Sequence, residues 1–119
     1  MDHYGHVNNA VYLTYLEECR DRLVEGLLGS AGAWDFVLAH VGIDYRSQLT
    51  QDDNEVTVRC EVASFGTSSV RTREVIVKGD GTVAAEAEAV IVPRAVDASG
   101  ARALTDDEKG ILQAAIASR

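Results

Sequence analysis

The chain has 119 residues, of which 46% are hydrophobic and 25% are charged, so it suits a single globular domain with a genuine core. Its formal net charge of −8 argues against a general nucleic-acid binder, because neutralising phosphate groups requires a clustered basic surface. No apolar run approaches the length of a membrane span and no basic-then-apolar signal segment opens the chain, so we expect a cytoplasmic protein without a membrane partner.

Residues 10–28 carry the strongest helical pattern. Apolar side chains recur at steps of three and four residues and form one stripe: Tyr12, Leu16, Cys19, Leu23 and Leu27. Asn8 or Asn9 can cap the start, because a short polar side chain satisfies an unpaired backbone N–H group. Glycines from position 26 onwards weaken and then end the helix. A single helix with an apolar stripe needs a sheet to pack on.

Four runs with the two-residue period of β-strands follow, over residues 37–46, 56–62, 68–78 and 82–92. The first run places one apolar face on Val37, Ala39, Val41, Ile43 and Tyr45. The second places one on Val56, Val58, Cys60 and Val62, and the third is less cleanly sided. Small residues in the fourth run would let a helix lie close to it: Ala85, Ala87 and Ala89. Turn residues between the runs, above all Gly79-Asp80-Gly81, predict an antiparallel meander of at least four strands.

A short helix is predicted at the C-terminal end. Pro93 ends the last strand, and residues 94–104 have the composition of a surface linker. Thr105-Asp106-Asp107-Glu108 is a capping box. The apolar stripe of this helix comprises Ile111, Leu112, Ala115 and Ile116.

The two cysteines, Cys19 and Cys60, lie far apart in a helical and a strand pattern. This is typical of small buried hydrophobic residues in a reducing cytoplasm and not of a disulfide framework. Their spacing is not that of a metal site, so we expect no bound metal.

Asp2, His3 and His6 cluster just before the start of the long helix. A helix N-terminus offers unpaired N–H groups and a partial positive charge, which stabilise a carbonyl oxygen as it becomes negative. Gly5 allows a tight turn there, and an aspartate beside such a site could attack a carbonyl or activate a water molecule for hydrolysis. A loop that merely caps the helix has the same residue types, so spacing alone leaves both interpretations open.

The opening residues read Asp2-x-x-Gly5-His6-Val7-Asn8-Asn9-Ala10-x-Tyr12-x-x-Tyr15-x-Glu17. This pattern resembles the signature of the hotdog-fold acyl-CoA thioesterases, the 4-hydroxybenzoyl-CoA thioesterase-like group. Similarity continues through Ile43-Asp44-Tyr45, Gly66-Thr67-Ser68-Ser69 and the Ala-rich last strand. The resemblance implies an α+β hotdog domain over residues 1–93, in which an antiparallel sheet wraps the long helix. Residues 94–119 would form a linker and a C-terminal helix packed on the same domain.

The resemblance gives Asp2 the role of catalytic carboxylate, as nucleophile or as general base. Asn9 matches the helix-start position whose backbone N–H polarises the thioester carbonyl, and Gly5, His6 and Val7 match the turn that sets this geometry. For His6 a structural role, with the imidazole hydrogen-bonded to backbone, is an equal alternative.

The resemblance also implies that five residues bind substrate: Val7, Tyr12, Thr67, Ser69 and Arg71. Tyr12 also fits packing in the core or at an interface. One branch of the family binds the CoA phosphates with a basic cluster just before the position of Ser69. Arg71 could contact the phosphates in place of that cluster, or it could be a solvated strand residue. Thr67 and Ser69 could instead contribute hydroxyls near the site of a neighbouring subunit.

The family begins with a strand that delivers the aspartate, whereas only Met1 precedes Asp2 in this sequence. We expect either a chain that lacks this strand or a shortened sequence. Without the strand, Asp2 would lie at a fraying terminus and be poorly preorganised for catalysis.

Three other ionisable residues favour structural interpretations. His40 lies on the more polar face of its strand and fits a structural histidine better than a pocket residue. Glu17 and Glu18 fit solvated positions or ion pairs with Arg20 or Arg22. A helix glutamate is catalytic in another hotdog branch, but that branch lacks the aspartate loop.

The resemblance thus implies hydrolysis of an acyl-CoA thioester to a free acid and CoA, by a homodimer or homotetramer with active sites at subunit interfaces. No metal or redox cofactor is needed, because a thioester is already an activated acyl group. The alternative is a non-catalytic acyl-CoA-binding or interaction module on the same fold, which the missing first strand favours. A hotdog hydratase would need a His-rich segment that we do not find in the sequence.

Overall fold

The computed structural model describes residues 9–29, 36–47, 55–95 and 100–118. Six elements follow one another in these segments: α1 (Asn9–Leu28), β1 (Phe36–Tyr45), β2 (Val56–Phe65), β3 (Val70–Lys78), β4 (Val83–Pro93) and α2 (Asp106–Ala117). The strands form one antiparallel sheet, and α1 lies across one of its faces. The predicted α+β arrangement of a long helix on an antiparallel sheet is therefore confirmed. No helix in these segments is long and apolar enough to cross a membrane.

The strand order is β1-β4-β3-β2, so the predicted meander is correct for β2, β3 and β4 but wrong for β1. β1 pairs with β4 and not with its sequence neighbour β2. Burial explains this order. Every residue of β4 except Glu86 and Glu88 is buried or half-buried, as suits a central strand, whereas β1 is exposed at most positions, as suits an edge.

Because of a bulge in β1, the side chains before the bulge point to the opposite face of the sheet from the one that the sequence pattern predicted. The pairing register shifts between Leu38 and His40, and Leu38 lies opposite Ile91, a buried residue on the face that α1 covers. The prediction that Val37 shares the apolar face of Val41 and Ile43 was therefore wrong, because the extra residue, Ala39, reverses the alternation before it.

The core beneath α1 consists of two apolar clusters. The first contains Tyr12, Leu16, Ile76, Ala84, Ala85 and Ala87. The second contains Val24, Leu28, Val62, Val70, Ile91, Leu104 and Leu112. Tyr12 and Leu16 thus anchor the first half of α1, and Val24 and Leu28 anchor the second half.

The buried residues of α1 recur every four positions: Tyr12, Leu16, Arg20, Val24 and Leu28. The predicted stripe is confirmed at Tyr12 and Leu16, whereas Cys19, Leu23 and Leu27 are only half-buried beside it. The sequence prediction omitted the buried positions 20, 24 and 28. A charged residue in the middle of the buried row is the least expected feature of this helix.

The predicted capping box of α2 is present. The Thr105 hydroxyl accepts a hydrogen bond from the Glu108 backbone N–H at 3.1 Å, and the Glu108 carboxylate accepts one from the Thr105 N–H at 2.8 Å. Arg102 forms two further hydrogen bonds with this carboxylate. Leu112 is buried as predicted, but Ile111 is exposed, so the helix presents a narrower apolar face than the sequence pattern predicted.

Candidate active site

The proposed oxyanion site depends on the N-terminus of α1, which begins at Asn9. The first N–H groups of a helix have no partner within it, and they carry the positive end of the helix dipole. Residues 1–8 lie outside the described part of the chain. The roles of Asp2, Gly5, His6 and Val7 therefore stay predictions.

Tyr12 anchors the first turns of α1 to the end of β1. Its side chain is only 4% exposed. Its hydroxyl donates a hydrogen bond to the Ser47 carbonyl oxygen at 3.3 Å, and its ring meets the ring of Tyr45 edge-on at a centroid distance of 5.0 Å. The end of β1 is itself fixed, because the Ser47 hydroxyl donates to the Val83 carbonyl at 3.1 Å. In the single chain, Tyr12 has the position of a packing residue, the alternative that the sequence left open.

Thr67 and Ser69 lie at the opposite end of the sheet from Tyr12. They belong to the turn between β2 and β3, in which the Gly66 N–H donates to the Ser69 carbonyl at 2.9 Å. This turn adjoins Val70, which shares a cluster with Leu28 at the end of α1. Because a 20-residue helix is about 30 Å long, the turn is far from the start of α1 in the same chain.

Arg71 lies on the face of the sheet that α1 does not cover. It is exposed, it alternates with the buried Thr72, and it forms an ion pair with Glu88. In the single chain, Arg71 therefore has the position of a solvated strand arginine and does not approach the start of α1.

A large open cleft of about 1060 Å³ occupies this uncovered face. Its lining includes charged residues of all four strands, and two of them, Arg73 and Glu61, form an ion pair at 3.4 Å. His40 also lines the cleft and is exposed, so it is not a buried structural histidine in the single chain. Despite its size, the cleft lies across the sheet from α1 and is not a candidate for chemistry at the helix N-terminus.

A smaller groove of about 340 Å³ lies on the helix side, between α1 and the start of β1. Apolar side chains form part of its lining: Val24, Phe36, Leu38 and Ile91. Acidic residues of α1 also line it: Glu17, Asp21 and Glu25. Glu17 and Glu18 are exposed, which confirms the prediction that they are solvated.

A buried polar network joins α1 to β3, and sequence reasoning missed it. Arg20 donates two hydrogen bonds to the Glu74 carboxylate, from Nε to Oε2 and from Nη2 to Oε1, each 2.7 Å long. The Thr72 hydroxyl donates a third at 2.7 Å, and the Cys60 thiol approaches the same carboxylate at 3.8 Å. The alternative that Arg20 pairs with Glu17 or Glu18 was therefore wrong.

Two sequence patterns could have revealed this network. Arg20 continues the four-residue spacing of Leu16 and Val24, which places it on the buried side of α1. Thr72 and Glu74 occupy alternate positions of β3 on the face of Val70 and Ile76, so both polar side chains must point inward. That a helix position and a strand position meet is a tertiary contact that neither pattern contains.

Both cysteines are free thiols beside this network. Burial, followed by the charge of Glu74, raises the pKa of Cys60, and the same two causes raise the pKa of Cys19. The Cys19 thiol also approaches the Val58 carbonyl at 3.6 Å. Both thiols therefore stay protonated at neutral pH, as suits half-buried structural residues. Within the described segments, no group of three or more His, Cys, Asp or Glu side chains could hold a metal ion.

Solved structures share this fold over nearly the whole chain. A thioesterase from Thermus thermophilus, complexed with coenzyme A and zinc, is 28% identical, with a TM-score of 0.86 over 98% of this chain and 86% of that one. YbaW from Escherichia coli, a probable thioesterase, is 27% identical, with a TM-score of 0.78 over 98% and 90% of the two chains. SAV2348 from Staphylococcus aureus, in complex with CoA, has a TM-score of 0.89 over 100% of this chain and 78% of that one. At 16% identity, that last likeness shows the fold alone.

No curated protein sequence matches the chain at a significant level. The family described as the thioesterase-like superfamily, however, matches residues 1–113, which include the Asp2–Asn8 motif, α1 and the described sheet. The structural likenesses agree with this match and confirm the hotdog fold that the sequence resemblance implied. The chain therefore belongs to the thioesterase-like superfamily.

Proposed function

We propose that this protein hydrolyses acyl-CoA thioesters to a free carboxylic acid and CoA. One observation carries the proposal: the motif residues Asp2–Asn8 immediately precede, in the sequence, a helix whose first half is anchored in the core. The family match supports thioester chemistry. The CoA complex of the Thermus thermophilus protein supports CoA as the carrier.

In the proposed reaction, the carbonyl oxygen of the thioester accepts a hydrogen bond from the Asn9 backbone N–H. As the carbonyl carbon is attacked, this oxygen gains negative charge, which the helix dipole stabilises. Gly5, His6 and Val7 form the turn that directs the loop towards the substrate, with His6 in either its structural or its catalytic role.

Asp2 then acts in one of two ways. As nucleophile, its carboxylate forms a mixed anhydride while the carbon–sulfur bond breaks and CoA leaves as a thiolate, and water later hydrolyses the anhydride. As general base, Asp2 takes a proton from a water molecule whose oxygen attacks the carbonyl directly; the carbon–sulfur bond then breaks, and the leaving CoA thiolate takes up the proton. Both routes consume one water molecule and yield the acid and CoA.

We further propose that the active unit is a homodimer built through β1, or a homotetramer made of two such dimers. β1 is an edge of the described sheet, and it exposes the large apolar side chains Val37, Leu38 and Tyr45. Pairing two β1 strands across a two-fold axis would continue the sheet and cover these side chains.

Such a dimer would also bring Thr67 and Ser69 to an active site. Within one chain, their turn lies at the end of the sheet where β1 starts, whereas α1 begins near the end of β1. Antiparallel pairing of two β1 strands would place the turn of one copy at the end of the sheet where α1 of the other begins. This arrangement supports a role for Thr67 and Ser69 in binding substrate at the site of a second copy.

The substitution Leu38→Glu tests the dimer, because a charge on the exposed apolar edge should prevent pairing. We expect light scattering to show a monomer that no longer hydrolyses thioesters. Ile111→Glu is the matched control, since Ile111 is similarly exposed but lies on α2. An active parent protein that is monomeric at assay concentration would contradict the dimer.

The reaction itself is tested by following thiol release from aromatic, short-chain and long-chain acyl-CoAs, with binding measured by calorimetry in parallel. Hydrolysis of at least one thioester supports the proposal. Tight binding of an acyl-CoA without release of free CoA would instead identify a binding module on the same fold.

A further inference from the structure

The Arg20–Glu74 pair separates the two apolar clusters beneath α1. Arg20 follows Tyr12 and Leu16, which belong to one cluster, and precedes Val24 and Leu28, which belong to the other. Together with Thr72, the pair is buried, and every side-chain oxygen of Glu74 accepts at least one hydrogen bond. The midpoint of α1 is thus held by buried charged contacts, while both halves are held mainly by apolar ones, with one hydrogen bond from Tyr12 near the start.

Apolar contacts alone define the position of a helix along its axis only weakly. The buried residues of α1 recur every four positions, about 6 Å apart, so a shift by one turn would bring another apolar residue to most of the same places on the sheet. A buried ion pair tolerates no such shift, because each charge would lose its partner away from water. Defining a unique register is the best-attested use of buried polar groups in helical packing.

We propose that the Arg20–Glu74 pair fixes the axial register of α1 and thereby positions the helix N-terminus at Asn9 for the reaction. This inference rests on the proposed function, in which the Asn9 N–H polarises the thioester carbonyl. Arg20 and Glu74 are positioning residues, since neither contacts substrate. A helix transmits an axial displacement along its length, so a shift at Arg20 moves Asn9, about 16 Å away, by the same amount. Displacements of about 1 Å at a reacting centre can lower turnover by about a hundredfold.

The contact between Tyr12 and Tyr45 reports the register independently of activity. The two rings meet edge-on at 5.0 Å near the start of α1, and the Tyr12 hydroxyl bonds to the Ser47 carbonyl. A change of register would separate the two rings. Ring-to-ring nuclear Overhauser effects between these tyrosines therefore measure the position of the helix N-terminus even if no substrate is turned over.

The test replaces the polar network with apolar side chains of similar volume, in the triple variant Arg20→Met, Thr72→Val and Glu74→Met. No buried charge remains beneath α1 in this variant, so it is expected to fold. We expect kcat to fall by at least about tenfold with little change in KM, and the Tyr12–Tyr45 signals to weaken or disappear. A folded triple variant with the parent kcat and intact tyrosine signals would overturn the inference.

The matched control is the double variant Arg102→Met, Glu108→Met. This pair also has two hydrogen bonds, 2.7 and 3.0 Å long, but it orders the start of α2. We expect the control to lose stability while keeping kcat within about twofold of the parent. Equal losses of kcat in both variants would show a general effect of destabilisation and contradict a positioning role.

Failure of the proposed function and failure of the register inference give different results in these experiments. If the parent hydrolyses no acyl-CoA, the proposed function fails, while the tyrosine signals of the triple variant still decide whether the pair fixes the register. If the triple variant does not fold, Arg20→Lys serves instead, because it keeps the charge but loses the two-bond geometry. A lower kcat together with weaker Tyr12–Tyr45 signals in Arg20→Lys supports the inference. If kcat and the tyrosine signals of Arg20→Lys both equal those of the parent, the inference is contradicted.

Discussion

Breaking the Arg20–Glu74 pair from one side should be among the most destabilising single substitutions in this protein. Arg20→Met leaves the Glu74 carboxylate, whose side chain has 0% exposure, without the cation that compensates its burial. Removing one partner of a buried ion pair costs about 3–5 kcal/mol. A domain of this size has about 5–15 kcal/mol of stability, so the expected loss is a large fraction of the total.

The exposed pair Arg46–Glu86 provides the comparison within the same sheet. Its N–O distance of 2.8 Å is almost that of the buried pair, at 2.7 Å, but its side chains are 55% and 49% exposed. Water screens both charges before and after substitution, so Arg46→Met should cost only about 0–1 kcal/mol. The two substitutions remove the same chemical group and differ mainly in burial.

The assay is urea unfolding of the parent, the two single variants and the apolar triple variant, at one fixed protein concentration because a dimer unfolds in a concentration-dependent way. The triple variant should be near the parent in stability or above it, since apolar replacement of a buried pair is often neutral or stabilising. An Arg20→Met loss of less than about 1 kcal/mol, equal to that of Arg46→Met, would refute the reasoning.

Two further predictions concern titrating groups. Hydrogen bonds from Arg102 lower the pKa of Glu108, so this carboxylate stabilises the fold above the usual glutamate pKa of about 4.3, and the contribution is lost as the pH falls through the lowered value. The difference in unfolding free energy between the parent and Glu108→Gln should thus be about 1–3 kcal/mol at neutral pH and should shrink in acid; a difference that grows in acid would contradict the assignment. Because burial raises the pKa of Cys60, iodoacetamide should modify this thiol slowly in the folded protein and rapidly in urea, as followed by mass spectrometry; fast modification at neutral pH without urea would contradict its burial.

The long helix, the strands and the capped C-terminal helix were predictable because each depends on local periodicity or on a motif of four residues. Thr105 and Glu108, for example, lie one helical turn apart and satisfy each other's backbone groups whatever the rest of the fold does. The neighbour of β1 was not predictable, because strand order depends on which sheet edges become covered. The β1 bulge was missed because a single extra residue at Ala39 leaves an apolar alternation that looks regular in the sequence.

For the candidate site, the sequence supplied its residue types but not their distribution in space. Tyr12 and Thr67 both match family positions, yet the fold places them at opposite ends of α1. The proposed dimer would bring these distant residues to one site, and the sequence of a single chain does not show how two copies pair. The Arg20–Glu74 contact joins residues 54 positions apart, so it likewise becomes visible only in three dimensions.

The proposed reaction depends most directly on the carboxylate of Asp2. The decisive measurement is kcat/KM of Asp2→Asn relative to the parent, on the acyl-CoA that the parent hydrolyses best, with binding of the same thioester measured in parallel. We predict that turnover falls by about a hundredfold or more while the dissociation constant changes little, because the side chain keeps its shape but can neither attack nor accept a proton. Equal turnover by Asp2→Asn and the parent would contradict the role of Asp2 as nucleophile or general base.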